Sequence, residues 1–230
     1  MEIHGIQKLT LLDYPGRLAC TVFTAGCNFR CPFCHNAGLV TEIRPEEAID
    51  EQFFFEFLKK RVGVLDGVCV SGGEPLLQPD ILPFLKKIKA LGYGVKLDTN
   101  GSFPDKLEEI IQAGAVDSVA MDIKNAPQRY GVTVGIPDYD CTPVERSVEL
   151  LRRGAVDFEF RTTVVREFHD VHAFETIGCW LSGAEKYFLQ TFADSGALIG
   201  RGLHACSAQE MNLFLETARR SIPNAQLRES

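Results

Sequence analysis

An α/β fold built on a parallel sheet is predicted by three features of this 230-residue sequence. Short apolar or β-branched runs alternate with stretches of helical apolar spacing, glycines follow the ends of several of those stretches, and the chemically suggestive polar residues gather just after the apolar runs. Parallel neighbours need a crossover connection, and right-handed crossovers place helices on the faces of the sheet.

Six runs read as strands: Leu18 to Phe23, Gly67 to Val70, Gly94 to Leu97, Val116 to Asp122, Phe158 to Val165 and Tyr187 to Phe192. Between them, Arg44-Pro45-Glu46-Glu47 leads into a helical pattern of Phe53, Phe54, Phe57 and Leu58, and Gln78-Pro79-Asp80 leads into Ile81, Phe84, Leu85 and Ile88. Phe103-Pro104-Asp105 opens a helix carrying Leu107, Ile110 and Ile111, and Thr142-Pro143 opens one with Val144, Val148 and Leu151. Gly92, Gly114 and Gly154 stand where a helix end favours a residue able to take positive φ. The stretch from Gln209 to Arg220 reads as a last amphipathic helix.

With 45% hydrophobic and 24% charged residues, the chain has the composition of one globular domain, which excludes disorder and collagen-like repeats. No linker-like tract divides it, so a single domain over 1–230 is expected, with a core at about 18–192 and a helical tail at about 205–220. A net charge of -7 argues against a broad basic face, hence no nucleic acid partner. No apolar run reaches membrane-spanning length, and Met1 to Gly5 lacks a basic stretch leading into an apolar one, so no membrane association and a cytoplasmic location are expected.

Eight cysteines could be read as four disulfides, but a reduced compartment and the spacing argue otherwise. Cys27, Cys31 and Cys34 crowd into one loop after the first run, while Cys20, Cys69, Cys141, Cys179 and Cys206 are dispersed singly. A structural zinc site wants four ligands, usually as two separated pairs, and no second pair exists downstream. His35 adjoins Cys34, and adjacent side chains rarely reach one ion. Three thiolates on a four-iron cluster instead leave one iron without a protein ligand. The iron–sulfur reading leads, with zinc or redox thiols as the alternatives.

Other polar residues follow the later runs: Ser71-Gly72-Gly73-Glu74, Asp98-Thr99-Asn100-Gly101 and Asp122-Ile123-Lys124. The carboxyl-terminal edge of a parallel sheet is where ligands bind, so these motifs and the cysteine loop converge on one rim. The strand count alone leaves a barrel and an open doubly wound sheet both standing.

A Cys-x3-Cys-x2-Cys loop with Phe33 before the last cysteine, followed by Gly72-Gly73-Glu74-Pro75, resembles the radical S-adenosylmethionine superfamily. Gly5 to Lys8, Asp13-Tyr14-Pro15-Gly16, Phe23 to Asn28 and Cys34-His35-Asn36 sharpen the resemblance to the activating enzymes of glycyl-radical enzymes, above all those serving anaerobic ribonucleoside-triphosphate reductase. The likeness runs from about Ile3 to Phe192. It implies a partial (βα)6 TIM-like barrel, a parallel sheet with outer helices, open on one side.

The resemblance also implies a [4Fe-4S] cluster on Cys27, Cys31 and Cys34, and S-adenosylmethionine bound to the open iron. By that likeness Gly72, Gly73 and Glu74 meet the methionyl ammonium, Lys124 meets the methionyl carboxylate, and Asp98, Thr99 and Asp122 hold a monovalent cation. Phe33, Asn100 and Thr163 are further candidates for the cofactor pocket, as is Arg161, although packing accounts equally for the last two. By the same likeness some relatives carry a histidine at the sixth strand end that contacts the methionyl carboxylate, where this sequence offers Gln190 or no such contact. The implied partners are a glycyl-radical enzyme, with the anaerobic reductase foremost, and a reduced flavodoxin- or ferredoxin-type electron donor. A radical enzyme acting on a nucleotide or pterin-like molecule, and a non-catalytic cluster-bearing regulatory module, are the competing functions. Residues after about Ser195, His204 and Cys206 among them, carry no assigned motif.

Overall fold

The computed structural model describes residues 1–228, so the last two positions of the expected domain, Glu229 and Ser230, lie outside the described residues. One eight-stranded sheet runs in sequential order: β1 (Ile3–Thr10), β2 (Ala19–Thr24), β3 (Gly67–Gly72), β4 (Gly94–Thr99), β5 (Ser118–Asp122), β6 (Asp157–Val164), β7 (Tyr187–Thr191) and β8 (Gln226–Arg228). Strands β2 to β7 are parallel and coincide with the six runs read from the sequence. β1 is antiparallel to β2, and β8 extends the sheet in parallel beside β7. The α/β class and the mainly parallel sheet therefore hold, with an edge strand added at each end.

Both additions lacked a sequence signal for a physical reason. Only Ile3 and Thr10 of β1 are buried, while Gln7, Lys8 and Leu9 are exposed, so its pattern carries no clean alternation and its ladder comes from β2. β8 is three residues long, held by the latch of Arg228 on Glu159, whose two guanidinium nitrogens donate at 2.8 and 2.9 Å.

The helices are α1 (Gly38–Thr41), α2 (Glu51–Lys59), α3 (Ile81–Ala90), α4 (Pro104–Gln112), α5 (Tyr130–Val134), α6 (Thr142–Arg152), α7 (Val171–Trp180) and α8 (Ala208–Arg219). Residues Pro45–Glu47 form a separate 3-10 turn rather than the start of α2, because Ala48 returns to extended backbone and Asp50 caps the helix, accepting from the Gln52 amide at 2.7 Å. α7 was not anticipated. Its cap is Asp170, accepting from the Ala173 amide at 2.8 Å, and its stacked Phe174–Phe214 contact with α8, 4.8 Å between ring centroids, covers the outer face of the sheet. Burying each such ring is worth roughly 1.5–3 kcal/mol.

The sheet curls. Arg161 on β6 reaches Asp98 on β4, two strands away, and one cavity is lined by residues of every strand from β3 to β7. β1 and β8 do not pair, so the barrel is partial. At its amino-terminal end the loop after β1 folds beneath it. Tyr14 is buried against the first residues of β3 and β4, where a Cβ on Gly67 would come 2.9 Å from the ring and one on Gly94 3.3 Å from the hydroxyl. Asp13, one residue before, lines the cavity above and accepts from Thr21.

Candidate functional site

The cavity, about 350 Å³, sits at the carboxyl-terminal ends of the strands. Cys27, Cys31, Phe33 and Cys34 form its wall on the cysteine loop; Gly72 and Gly73 reach it from β3, Asp98, Thr99 and Asn100 from the β4 end, and Asp122 and Lys124 from the β5 end. Thr163 and Gln190, register partners on β6 and β7, are the last of the predicted residues that line it, and Arg161 stands two residues below Thr163 on the same face.

The cysteine loop is fixed by backbone. Gly26 donates to the Leu39 carbonyl at 2.8 Å and its own carbonyl accepts from the Glu74 amide at 2.7 Å; the Gly73 amide donates to the Thr24 carbonyl at 2.9 Å. This approach is so close that a Cβ on Gly73 would fall 1.9 Å from the Gly26 oxygen, and one on Gly72, at φ +127°, 2.3 Å from Thr24 backbone. The glycine pair thus lets the β3 end pack against the stem of the cysteine loop. Asn36 adds a side-chain tie, donating to the Gly72 carbonyl at 2.9 Å.

All three thiols are free, and among the described residues no three His, Cys, Asp or Glu groups converge tightly enough to hold a single ion. Three sulfurs spread along one cavity wall, without a fourth ligand, suit a polynuclear cluster better than a tetrahedral zinc. Burial pushes the Cys27 thiol up to about 11 and the Cys31 thiol up to about 12, and raises Cys34 as well. Iron must therefore displace protons on binding. Two donors favour the Cys27 thiolate: the Phe29 amide at 3.3 Å and the Asn100 side-chain amide at 3.8 Å from its sulfur.

Glu74 departs from expectation. It does not line the cavity; it is fully buried, its carboxylate accepting from the Leu76 amide at 3.0 Å, the Thr99 hydroxyl at 2.8 Å and the Asn100 amide at 2.7 Å. Burial pushes its pKa up to about 7 against those donors. Its work is to brace the β3 and β4 ends, which leaves the cavity-facing backbone of Ser71 to Gly73 to meet a ligand there.

Asp98 and Asp122, the pair expected to flank a monovalent cation, are ion-paired with protein groups. Arg161 donates from Nη1 to Asp98 at 3.2 Å and from Nε to Asp122 at 3.0 Å; Lys96 pairs with Asp98, and Lys124 Nζ lies 3.0 Å from Asp122. Thr99, the third expected ligand, turns its hydroxyl to Glu74. Burial opposes ionisation of both aspartates, yet Arg161 with the two lysines outweighs it and holds both below the usual carboxylate range. Burial also opposes charge on Lys124, and Asp122 outweighs it, so this lysine stays cationic beside the cysteines.

Sequence reasoning missed Lys96 and gave Asp13 no place at the site. Lys96 did carry a signal, a charge inside an apolar run two residues before Asp98 and so on the same face of β4. Asp13 lies on a loop whose fold beneath the sheet no local pattern announces.

Comparison with known proteins places this geometry. A family model described as the radical SAM superfamily matches residues 21–177. A Methanocaldococcus jannaschii protein named as a candidate glycyl-radical enzyme activating enzyme is 31% identical over 201 residues, covering 85% of this chain and 81% of that one. The Clostridium pasteurianum pyruvate formate-lyase-activating enzyme is 37% identical over 130 residues, and that match spans 54% of this chain and 52% of the relative. Among solved structures, Streptococcus suis SuiB bound to its precursor peptide SuiA overlays with a TM-score of 0.71 at 12% identity, covering 90% of this chain and 48% of that one. The enzyme anSMEcpe with bound AdoMet gives 0.62 at 15% identity, covering 85% and 57%. At such identities the overlays speak for the fold.

Proposed function

The chain belongs to the radical SAM superfamily, and from that premise we propose that it activates a glycyl-radical enzyme, namely an anaerobic ribonucleoside-triphosphate reductase, by removing a hydrogen atom from a backbone glycine of that partner. The observation that carries the reading is the meeting of three free cysteines from one loop with the inward ends of β3 to β7 around a cavity in a sheet left open between β1 and β8. When bound, a [4Fe-4S] cluster and S-adenosylmethionine supply one-electron cleavage of a sulfonium C–S bond and thereby a 5′-deoxyadenosyl radical.

The protein's part is to bind, orient and exclude. Cys27, Cys31 and Cys34 would hold the cluster, with Asn100 donating toward the Cys27 sulfur. The backbone of Ser71 to Gly73 faces the cavity and suits the methionyl ammonium. The cationic Lys124, tied to Asp122, suits the methionyl carboxylate, while Thr163 and Gln190 offer polar contacts on the far wall. Phe33, buried against Phe168 at 5.7 Å between ring centroids, gives the loop an apolar backing that keeps water from the metal side. The reducing electron would come from a flavodoxin- or ferredoxin-type donor at the exposed side of the cysteine loop, where Arg30 and His35 face solvent.

Incubating the anaerobically reconstituted protein with S-adenosylmethionine, a reductant and the reductase should give a glycyl doublet in electron paramagnetic resonance. Cleavage of S-adenosylmethionine without that doublet would overturn the activase reading and direct attention to a small-molecule substrate.

A further inference from the structure

Residues 193–205 join β7 to α8 and form no regular element, yet they touch the cysteine loop at Gly200 and are anchored at several points. Leu198 and Leu203 pack on the core. Midway, the Gly200 amide donates to the Pro32 carbonyl at 2.7 Å, and Pro32 stands inside the turn closed by the Cys34 amide on the Cys31 carbonyl at 3.1 Å. The approach admits only glycine: a Cβ at Gly200 would fall 2.6 Å from the Pro32 Cβ and 3.1 Å from its Cα and oxygen. At the far end the Arg166 amide donates to the His204 carbonyl at 3.1 Å, and the His204 amide and Nδ1 meet Glu167 at 3.0 and 2.7 Å.

We propose that this segment is a strap that holds the cysteine loop in its ligating conformation and limits solvent access to the iron, with Gly200 as its positioning residue. The inference rests on the preceding reading only in taking Cys27, Cys31 and Cys34 as iron ligands. Metal loss to a chelator requires local opening of the ligand loop, and the free energy of that opening is set by the contacts closing it. Pro32 lies between two ligands and its backbone oxygen is held by Gly200, so loosening that contact frees the ligand turn without disturbing the sheet.

The test follows iron release, not activity. Under anaerobic conditions the reconstituted Gly200→Ala protein should lose iron to bathophenanthroline disulfonate roughly tenfold faster than the parent protein, the factor that corresponds to about 1.4 kcal/mol of easier opening. Gly114→Ala is the control: Gly114, after α4 and outside the strap, sits at φ +60°, so the change strains the backbone there, and its added Cβ would touch nothing. It should release iron near the parent rate. Glu167→Ala removes the acceptor of both His204 bonds at an accessible end of the strap, and should accelerate release even where Gly200→Ala fails to fold. Parent-like release from Gly200→Ala or from Glu167→Ala, or equal acceleration by Gly114→Ala, would overturn the proposal. Failure of the parent protein to hold iron at all would instead strike the cofactor assignment.

Discussion

That Cys27, Cys31 and Cys34 share one cavity wall was legible because they sit close together in one loop, which no tertiary context has to supply. Replacing any of them by alanine should abolish iron–sulfur absorbance and S-adenosylmethionine cleavage while the far-ultraviolet circular dichroism stays that of the parent. Cys69→Ala, buried in β3, should keep both at a stability cost of roughly 1–2 kcal/mol. Arg161 marks the opposite case. Its place on the rim could be guessed, but its partners on β4 and β5 exist only once the sheet curls. Arg161→Met leaves two carboxylates short of their shared counter-charge and should cost about 3 kcal/mol at neutral pH, the low end for a buried pair because Asp122 keeps 31% of its side-chain exposure. Both aspartates are held below their ordinary pKa of 3.8, so the stabilisation is full above that value and fades as pH falls through the depressed folded values. Denaturation midpoints of the two proteins should therefore converge on acidification below about 3.8, and a pH-independent gap would contradict the charge argument.

At the scale of elements, the six central strands were readable because each run is short, rich in apolar and β-branched residues and largely buried, with polar residues such as Lys96 and Arg161 set singly within it. β1, β8 and α7 were not. Edge strands borrow their stability from a neighbour, and α7 offers no proline or glycine punctuation before its Asp170 cap. The β3 end shows what a motif leaves unsaid: Gly72 and Gly73 do face the cavity, but the space they save is for the Thr24 to Gly26 backbone, and the Glu74 side chain turns away to brace the β4 end. Gly73→Ala should therefore act on the metal site through the loop stem. With a Cβ 1.9 Å from the Gly26 oxygen, the turn before Cys27 has to shift, and cluster occupancy should fall severalfold while the sheet remains folded. Full occupancy, measured as iron and sulfide per chain, would show that the stem tolerates the intrusion.

Across the whole molecule, the pattern of six parallel strands with reactive residues at one edge led to the right rim, and what it could not convey was closure. The segments that finish the barrel, the loop carrying Asp13 and Tyr14, the strap at Gly200 and the latch of Arg228 on Glu159, are irregular or very short, and each is defined by contacts with residues far away in the chain. Tyr14 beneath β3 and β4 matters beyond packing, because it fills the amino-terminal side of the sheet next to Asp13, which lines the cavity. With that ring filling the space under β3 and β4, exchange between the cavity and solvent is directed to the carboxyl-terminal rim and to the seam left between β1 and β8.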